Sequence, residues 1–338
     1  MRLLVLGGTE FAGRAVVEAA LGRGWEVTVL HRGRHEPPAG VRSLHGDRTA
    51  PGGLAALAGD ETWDAVVDTW SAAPRPVRDA ARLLRDRAGR YVYVSSCSVY
   101  AWAPPAGYTE EAPVVEGADA GAGPTDYARD KRGGELAAVE GFGAGRSLLV
   151  RAGLLLGPYE NVGRLPWWLN RMARGGPVLA PGPRDLPLQY VDVRDLAEWI
   201  LGAVEAGLSG PYNLMSPQGH STMGEFLDAC AAAAGPDAEL RWVDPGVVLG
   251  AGIEPWTQLP VWVPPGSDLH DALHAADVSR AVASGLRCRP VTETVADTWR
   301  WLQGLGGTAP QRPDRTLKGL DPELEAKALA AAEDGSNV

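Results

Sequence analysis

The 338-residue chain carries a net charge of −10 and a pI of about 5.2, which disfavours a broad electrostatic grip on phosphate backbones. Hydrophobic residues make up 45% and charged residues 22% of it, ordinary globular usage that excludes general disorder and fibrous architectures. Its three cysteines, Cys97, Cys230 and Cys288, are too scattered and odd in number for a disulfide framework or a zinc-ligand spacing, which fits a reducing cytosol.

The first apolar run, Leu3–Leu6, meets Gly7-Gly8 at once and falls short of the roughly 7–15 residues of a secretion signal. No later run reaches the ~18 uninterrupted apolar residues of a membrane span. A cytoplasmic protein without membrane or nucleic-acid partners is expected. Runs Leu3–Leu6, Glu26–Leu30, Ala65–Asp68, Tyr91–Ser95 and Leu148–Arg151 read as strands, and residues 14–22, 75–88 and 127–140 as the helices between them. This alternation predicts an α/β fold with a Rossmann-like, doubly wound parallel sheet and a smaller C-terminal substrate lobe.

Further along, Gln189–Val193 and Pro211–Leu214 read as two more strands around a helix over 195–206, returning to the first sheet. The expected division is therefore a nucleotide-binding domain over 1–157, with 186–215 rejoining its sheet, and a substrate lobe from 158–185 and 216–307. The lobe carries helices near 222–234 and 291–303. Residues 308–338 read as a polar tail with one helix over 321–333. No internal repeat at a fixed period is evident.

The first strand runs into Gly7-Gly8-Thr9-Glu10-Phe11-Ala12-Gly13, and a helix opens at Arg14. Such a turn aims backbone amides and a helix N-terminus at one point, which suits a pyrophosphate. After the second strand the chain reads His31-Arg32-Gly33-Arg34, where NAD enzymes commonly place an acid for the ribose 2′-hydroxyl. Arginine suits a 2′-phosphate instead, so NADP(H) is favoured over NAD(H), with Arg32 first and Arg34 or Arg14 as seconds. Asp47 stands where it would accept from the adenine amino group, although an ordinary turn aspartate reads the same. Arg48 and Thr69 complete the expected cofactor set.

Tyr127 and Lys131 lie four apart on a predicted helix, so the ammonium stands near the phenol and supports its deprotonated form. One element earlier, Ser95-Ser96-Cys97-Ser98-Val99-Tyr100 ends a strand at the carboxyl edge of the sheet, where α/β sheets bind ligands. Ser96 is expected to reach the same carbonyl.

Here the chain resembles the extended short-chain dehydrogenase/reductase superfamily, also called the NAD-dependent epimerase/dehydratase family, over roughly residues 1–303. The resemblance rests on the GGTEFAG turn, Asp47, SSCSVY, YARDK, Arg151–Pro158 and Gln189–Val193. It implies that Ser96 polarises a carbonyl, Tyr127 exchanges the proton, and Lys131 holds the nicotinamide ribose. Three departures matter. Glu10 replaces the central glycine of the family turn and is expected to point outward. Cys97-Ser98 follows Ser96 where sugar dehydratases carry Asp-Glu. Leu188-Gln189-Tyr190 lacks the Arg-Asp-Tyr run of nucleotide-sugar enzymes.

Trp102, Trp167, Trp168, Trp256 and Trp262 fall in segments expected to build the substrate lobe, with Cys97, Tyr159 and Arg164 of similar standing; core filling is the alternative. His270 and His274 lie four apart without a third ligand in view, so no metal is expected. The reading is thus an NADP(H)-dependent reductase or dehydrogenase for a small or medium carbonyl or alcohol. The alternatives are an epimerase that retains its cofactor and a non-catalytic NADP(H) sensor or RNA-binding relative. A homodimer is expected by analogy alone.

Overall fold

The computed structural model describes residues 1–121, 123–315 and 319–335. The chain divides into two compact units. The first gathers residues 1–153, 193–215 and 277–287; the second gathers 154–192, 216–276 and 288–338.

The first unit is built on a sheet of seven parallel strands. Six of them are β1 (Arg2–Leu6), β2 (Glu26–His31), β3 (Arg42–His45), β4 (Trp63–Asp68), β5 (Ala88–Ser96) and β6 (Ser147–Ala152); the seventh is Gly210–Leu214. Their spatial order is β3-β2-β1-β4-β5-β6 and then Gly210–Leu214. The strand order reverses between β1 and β4, and a doubly wound sheet opens its ligand crevice at that reversal, beyond the carboxyl ends of the strands. Helices α1 (Phe11–Gly22), α2 (Arg75–Leu84) and α3 (Tyr127–Phe142) connect successive strands.

Leu4, Leu6, Leu30, Tyr91, Tyr93 and Leu149 share one core with Val77, Ala81 and Leu84 of α2 and Ala137, Ala138 and Phe142 of α3. Alternate strand residues such as Leu3, Val5 and Val29 are equally buried, because helices cover both faces of a parallel sheet. Small residues set how closely α3 lies on this sheet. A methyl group on Gly134 would fall 2.4 Å from the Tyr93 hydroxyl, and one on Gly133 would fall 2.5 Å from the Ala118 carbonyl.

The second unit carries three two-stranded ladders. Leu155–Leu156 pairs in parallel with Val191–Asp192, Pro187–Leu188 antiparallel with Ser221–Thr222, and Gly176–Pro181 in parallel with Ala238–Val243. Its core joins Trp168, Met172, Phe226, Leu227, Trp262, Val295 and Leu302. The helix Met223–Ala234 opens with a capping box between Thr222 and Glu225, which satisfies two of the helix's orphan donors reciprocally.

Three expectations are corrected here. Pro211–Leu214 does join the first sheet, beside β6, but Gln189–Val193 does not. The Gln189 side-chain amide donates to the Ser216 and Ala276 carbonyls and accepts from the Ala276 backbone amide, and the chain up to Asp192 lies in the second unit. The 308–338 segment is more than a polar tail. Its helix Pro322–Gly335 buries Ala328 in the second core, and Glu325 accepts from Arg171 Nε at 2.8 Å and from the Leu179 amide at 3.1 Å. Residues 316–318 and 336–338 of that segment lie outside the described residues. The first unit also takes in 277–287, expected in the lobe, because Asp277 donates its amide to the Tyr108 carbonyl and accepts from Asn213 on its own carbonyl.

Candidate active site

Strand β1 delivers the chain into a turn that only glycine can make. Gly7 sits at φ +99°, and a methyl group there would meet Thr69 Oγ1 at 2.6 Å. One on Gly13 would fall 2.0 Å from the Gly7 carbonyl, so the first turn of α1 rides directly on the loop. Thr69, at the end of β4, ties the two neighbouring strand ends together by donating to the Leu6 carbonyl at 3.1 Å. The Glu10 side chain does not cap α1. Its carboxylate lies 3.6 Å from His35 Nε2 and is partly exposed, so the helix N-terminus, with Phe11, Ala12 and Gly13, presents backbone rather than a carboxylate cap. This slim cradle fits a pyrophosphate.

The second feature stands at the ends of β2 and β3. His31 is buried; its Nδ1 accepts from the Gly33 amide at 3.2 Å and its Nε2 lies 2.6 Å from Ser43 Oγ. Burial, and next the neighbouring His45, push its pKa down, so the ring is neutral and fixes the turn that exposes Arg32 and Arg34. Asp47 accepts from the Thr49 hydroxyl and amide at 2.7 and 2.9 Å. Those bonds, and then the positive fields of Arg32 and Arg34, hold its carboxyl below the usual range. Two exposed cations and one ionised carboxylate therefore meet at this edge.

Arg48 needs correction as a cofactor contact. Its guanidinium turns inward, donating to both Asp68 oxygens at 2.6 and 2.7 Å and to the Pro76 carbonyl at 2.8 Å. Burial disfavours the charge, but Asp68 outweighs it and holds Arg48 above its ordinary range. Asp68 also accepts from the Trp70 amide and the Tyr91 hydroxyl. Arg48 thus fixes the loop after β4, its charge 5.5 Å from the Trp70 ring.

That loop reaches the third feature. Helix α3 starts at Tyr127, with the Asp126 side chain capping it through the Arg129 amide. One turn on, the buried Lys131 donates to the Trp70 carbonyl at 2.7 Å and the Val94 carbonyl at 2.6 Å. Val94 lies two residues before Ser96, whose Oγ accepts from the Ser98 amide at 3.1 Å. The ammonium is therefore held between the end of β5 and the loop after β4, 4.8 Å from the Tyr93 ring. Tyr91 and Tyr93 are held protonated by burial and by Asp68. Tyr127 is only half-buried, so it is the tyrosine here that a ligand can reach.

A family model described as NAD dependent epimerase/dehydratase matches residues 3–215. The chain belongs to the NAD-dependent epimerase/dehydratase family. Members of this family are NAD(P)-dependent enzymes, and the seven-stranded parallel sheet is Rossmann-like. Over 190 residues the chain is 34% identical to a 2'-dehydrokanamycin reductase of Streptomyces kanamyceticus, a match covering 53% of this chain and 51% of that one. The chain thus spans about half the length of the curated relative it matches.

Solved structures share the fold. The Bordetella bronchiseptica enzyme WbmH, in complex with NAD+, aligns with a TM-score of 0.64 at 18% identity over 90% of this chain and 99% of that one. The Thermus thermophilus UDP-glucose 4-epimerase, complexed with NAD, aligns at 0.59 and 23% identity over 90% and 99%. The human epimerase family protein SDR39U1, with NADPH, aligns at 0.56 and 23% identity over 89% and 99%.

The expected substrate residues scatter. In the first unit, the Cys97 thiol donates to the Arg151 carbonyl at 3.1 Å, and burial pushes its pKa up to about 12. Trp102 is 67% exposed. In the second unit, Trp168 is a correction: it is fully buried, with its indole N–H on the Pro260 carbonyl at 2.7 Å, and so fills the core. Trp262 does the same, donating to the Gly182 carbonyl. Trp167 stands edge-on to Trp168 at 4.7 Å, and the Tyr159 ring lies 5.6 Å from Trp301. The Arg164 charge lies 5.2 Å from the Trp256 ring. His274 is buried and spends its ring on backbone, with Nδ1 accepting from the Gln189 amide at 3.0 Å.

Sequence reasoning about this family member missed Asp68, Trp70, Glu135 and Arg151. The spacing Tyr127, Lys131, Glu135 was a usable signal, since steps of four keep all three on one helical face.

Proposed function

We infer that this family member is an NADP(H)-dependent reductase or dehydrogenase that moves a hydride to or from a small or medium carbonyl or alcohol substrate. The observation that carries the reading is the position of Lys131. Its ammonium bonds the Val94 carbonyl, one helical turn from Tyr127 and two residues from Ser96, so an acid, an anchor and a cation share one sheet edge.

A bound nicotinamide supplies the hydride for the carbonyl carbon. Tyr127 gives its phenolic proton to the carbonyl oxygen and regains one from solvent; oxidation of an alcohol runs the same transfers backward. The Ser98 amide holds the Ser96 oxygen, leaving the hydroxyl proton free to rotate from Ser98 Oγ towards that carbonyl. Lys131, fixed on the Trp70 and Val94 carbonyls one helical turn from Tyr127, would hold the nicotinamide ribose. The Gly7–Gly13 cradle takes the pyrophosphate, Asp47 the adenine, and Arg32 with Arg34 the 2′-phosphate. The relative named 2'-dehydrokanamycin reductase supports the reductase sense.

The test is a binding titration of nucleotide-stripped protein with NADPH and NADH, repeated on Arg32→Ala. NADPH preference that disappears in the variant supports the reading. NADH preference, or nucleotide that cannot be stripped, turns it towards an epimerase that keeps its cofactor.

A further inference from the structure

Behind Lys131, on the same face of α3, lies a carboxylate that the proposed chemistry does not use. Glu135 is fully buried, as are Ser95 and Arg151 to within a few per cent. Ser95 and Arg151 are register partners on the parallel strands β5 and β6, and both reach Glu135. The Ser95 hydroxyl donates to Oε1 at 2.8 Å, while Arg151 donates through Nε to Oε1 at 3.0 Å and through Nη2 to Oε2 at 3.1 Å. Arg132 adds a bond to Oε2 at 2.7 Å. Arg151 is held in turn by the Tyr100 hydroxyl and the Glu110 carbonyl, each at 3.1 Å.

Helix α3 is therefore stitched to the end of β5 at two consecutive residues, Lys131 to the Val94 carbonyl and Glu135 to the Ser95 hydroxyl. Apolar packing leaves a helix able to slide or rotate on a sheet. A charged, two-pronged Arg151–Glu135 contact has one geometry, and placed one turn from Lys131 it fixes the helix in register with Ser96.

We propose that Glu135 is a positioning residue: with Ser95 and Arg151 it sets where Lys131 and Tyr127 stand relative to Ser96, and so governs how tightly the nicotinamide half of the dinucleotide is held. The inference rests on the reading of Lys131 as the ribose contact. The adenine half, bound at Gly7–Gly13, Arg32 and Asp47, lies on elements that the network does not touch.

The experiment compares binding of NADPH with that of 2′,5′-ADP, which lacks the nicotinamide ribose, in wild-type protein, Ser95→Ala and Glu135→Gln. Ser95→Ala is expected to weaken NADPH about fivefold, the equivalent of one hydrogen bond, and Glu135→Gln about tenfold or more, as a charged partner is lost. The affinity for 2′,5′-ADP stays unchanged in both. Equal weakening of the two probes, or no weakening of either, overturns the proposal. Glu135→Gln leaves the Arg151 cation buried and fails to fold if that cost is too large; Ser95→Ala, which leaves both arginine contacts in place, then decides. The same pair of titrations with NADH and 5′-ADP separates the two readings. A wild-type preference for those probes refutes the NADP(H) assignment while the fragment comparison still judges Glu135.

Discussion

Arg48 and Asp68 meet through two parallel hydrogen bonds of 2.6 and 2.7 Å, with side chains 6% and 0% exposed. Removing one partner of such a pair leaves an uncompensated charge in the interior. Arg48→Met is therefore expected to lower the unfolding free energy by about 3–5 kcal/mol, measured by denaturant titration. A loss below 1 kcal/mol, with weaker nucleotide binding instead, would return Arg48 to the cofactor.

Tyr127→Phe keeps the ring and removes the proton. We expect kcat to fall about 10²–10⁴-fold, the usual worth of a positioned general acid, with NADPH affinity unchanged. The assay is NADPH oxidation with the best carbonyl of a substrate screen. Retained turnover in the variant would assign the proton to another group.

Gly13→Ala tests the cradle. Its methyl group would stand 2.0 Å from the Gly7 carbonyl, so α1 must move away from the turn. The expected result is loss of nucleotide binding with a stability cost of about 1–3 kcal/mol, as for other overpacked sites. Calorimetric titration and thermal melts read the two effects separately.

His274 makes stability depend on pH. Burial, and then the neighbouring His270, lower its pKa from 6.5 to about 4, so the folded ring stays neutral where the unfolded one takes a proton. Its contribution is complete above pH 6.5 and is lost progressively as pH falls towards 4. Between pH 7 and 5 we expect about 2 kcal/mol of loss from this residue. Urea melts at the two pH values check it, and His274→Gln should flatten the difference. An equal slope in the variant would place the dependence elsewhere.

Truncation after Gly307 removes Glu325 and leaves Arg171, 8% exposed in the intact protein, without its buried carboxylate. A loss of about 3–5 kcal/mol is expected. A truncated protein as stable as the full chain would restore the view of this segment as a tail.

Much of the first unit was legible in the residues. Six of its seven strands, all but β3, and the helices between them announced themselves because a parallel sheet covered on both faces needs continuous apolar runs, such as Leu3–Leu6. The glycine turn was legible because backbone approach has so few chemical solutions. Arg48 misled for the opposite reason. An arginine beside Asp47 reads the same whether it faces a phosphate or turns back onto Asp68, and Asp68 lies twenty residues on. The helix Pro322–Gly335 was visible but its attachment was not, since the polar composition of 308–338 hid one buried face centred on Glu325 and Ala328. Gln189–Val193 carries strand-like residues, yet the Gln189 side-chain amide spends itself on Ser216 and Ala276, partners that local spacing cannot reveal.

The chain changes unit five times, after residues 153, 192, 215, 276 and 287. During synthesis β6 leaves the ribosome with its outer side unpaired, because its neighbour Gly210–Leu214 follows only after a long excursion through the other unit. A nascent chain halted near residue 200 therefore carries a bare, apolar strand edge, the kind of template on which chains aggregate. No single cut in the polypeptide can release either unit whole, since each is assembled from three separate stretches of chain.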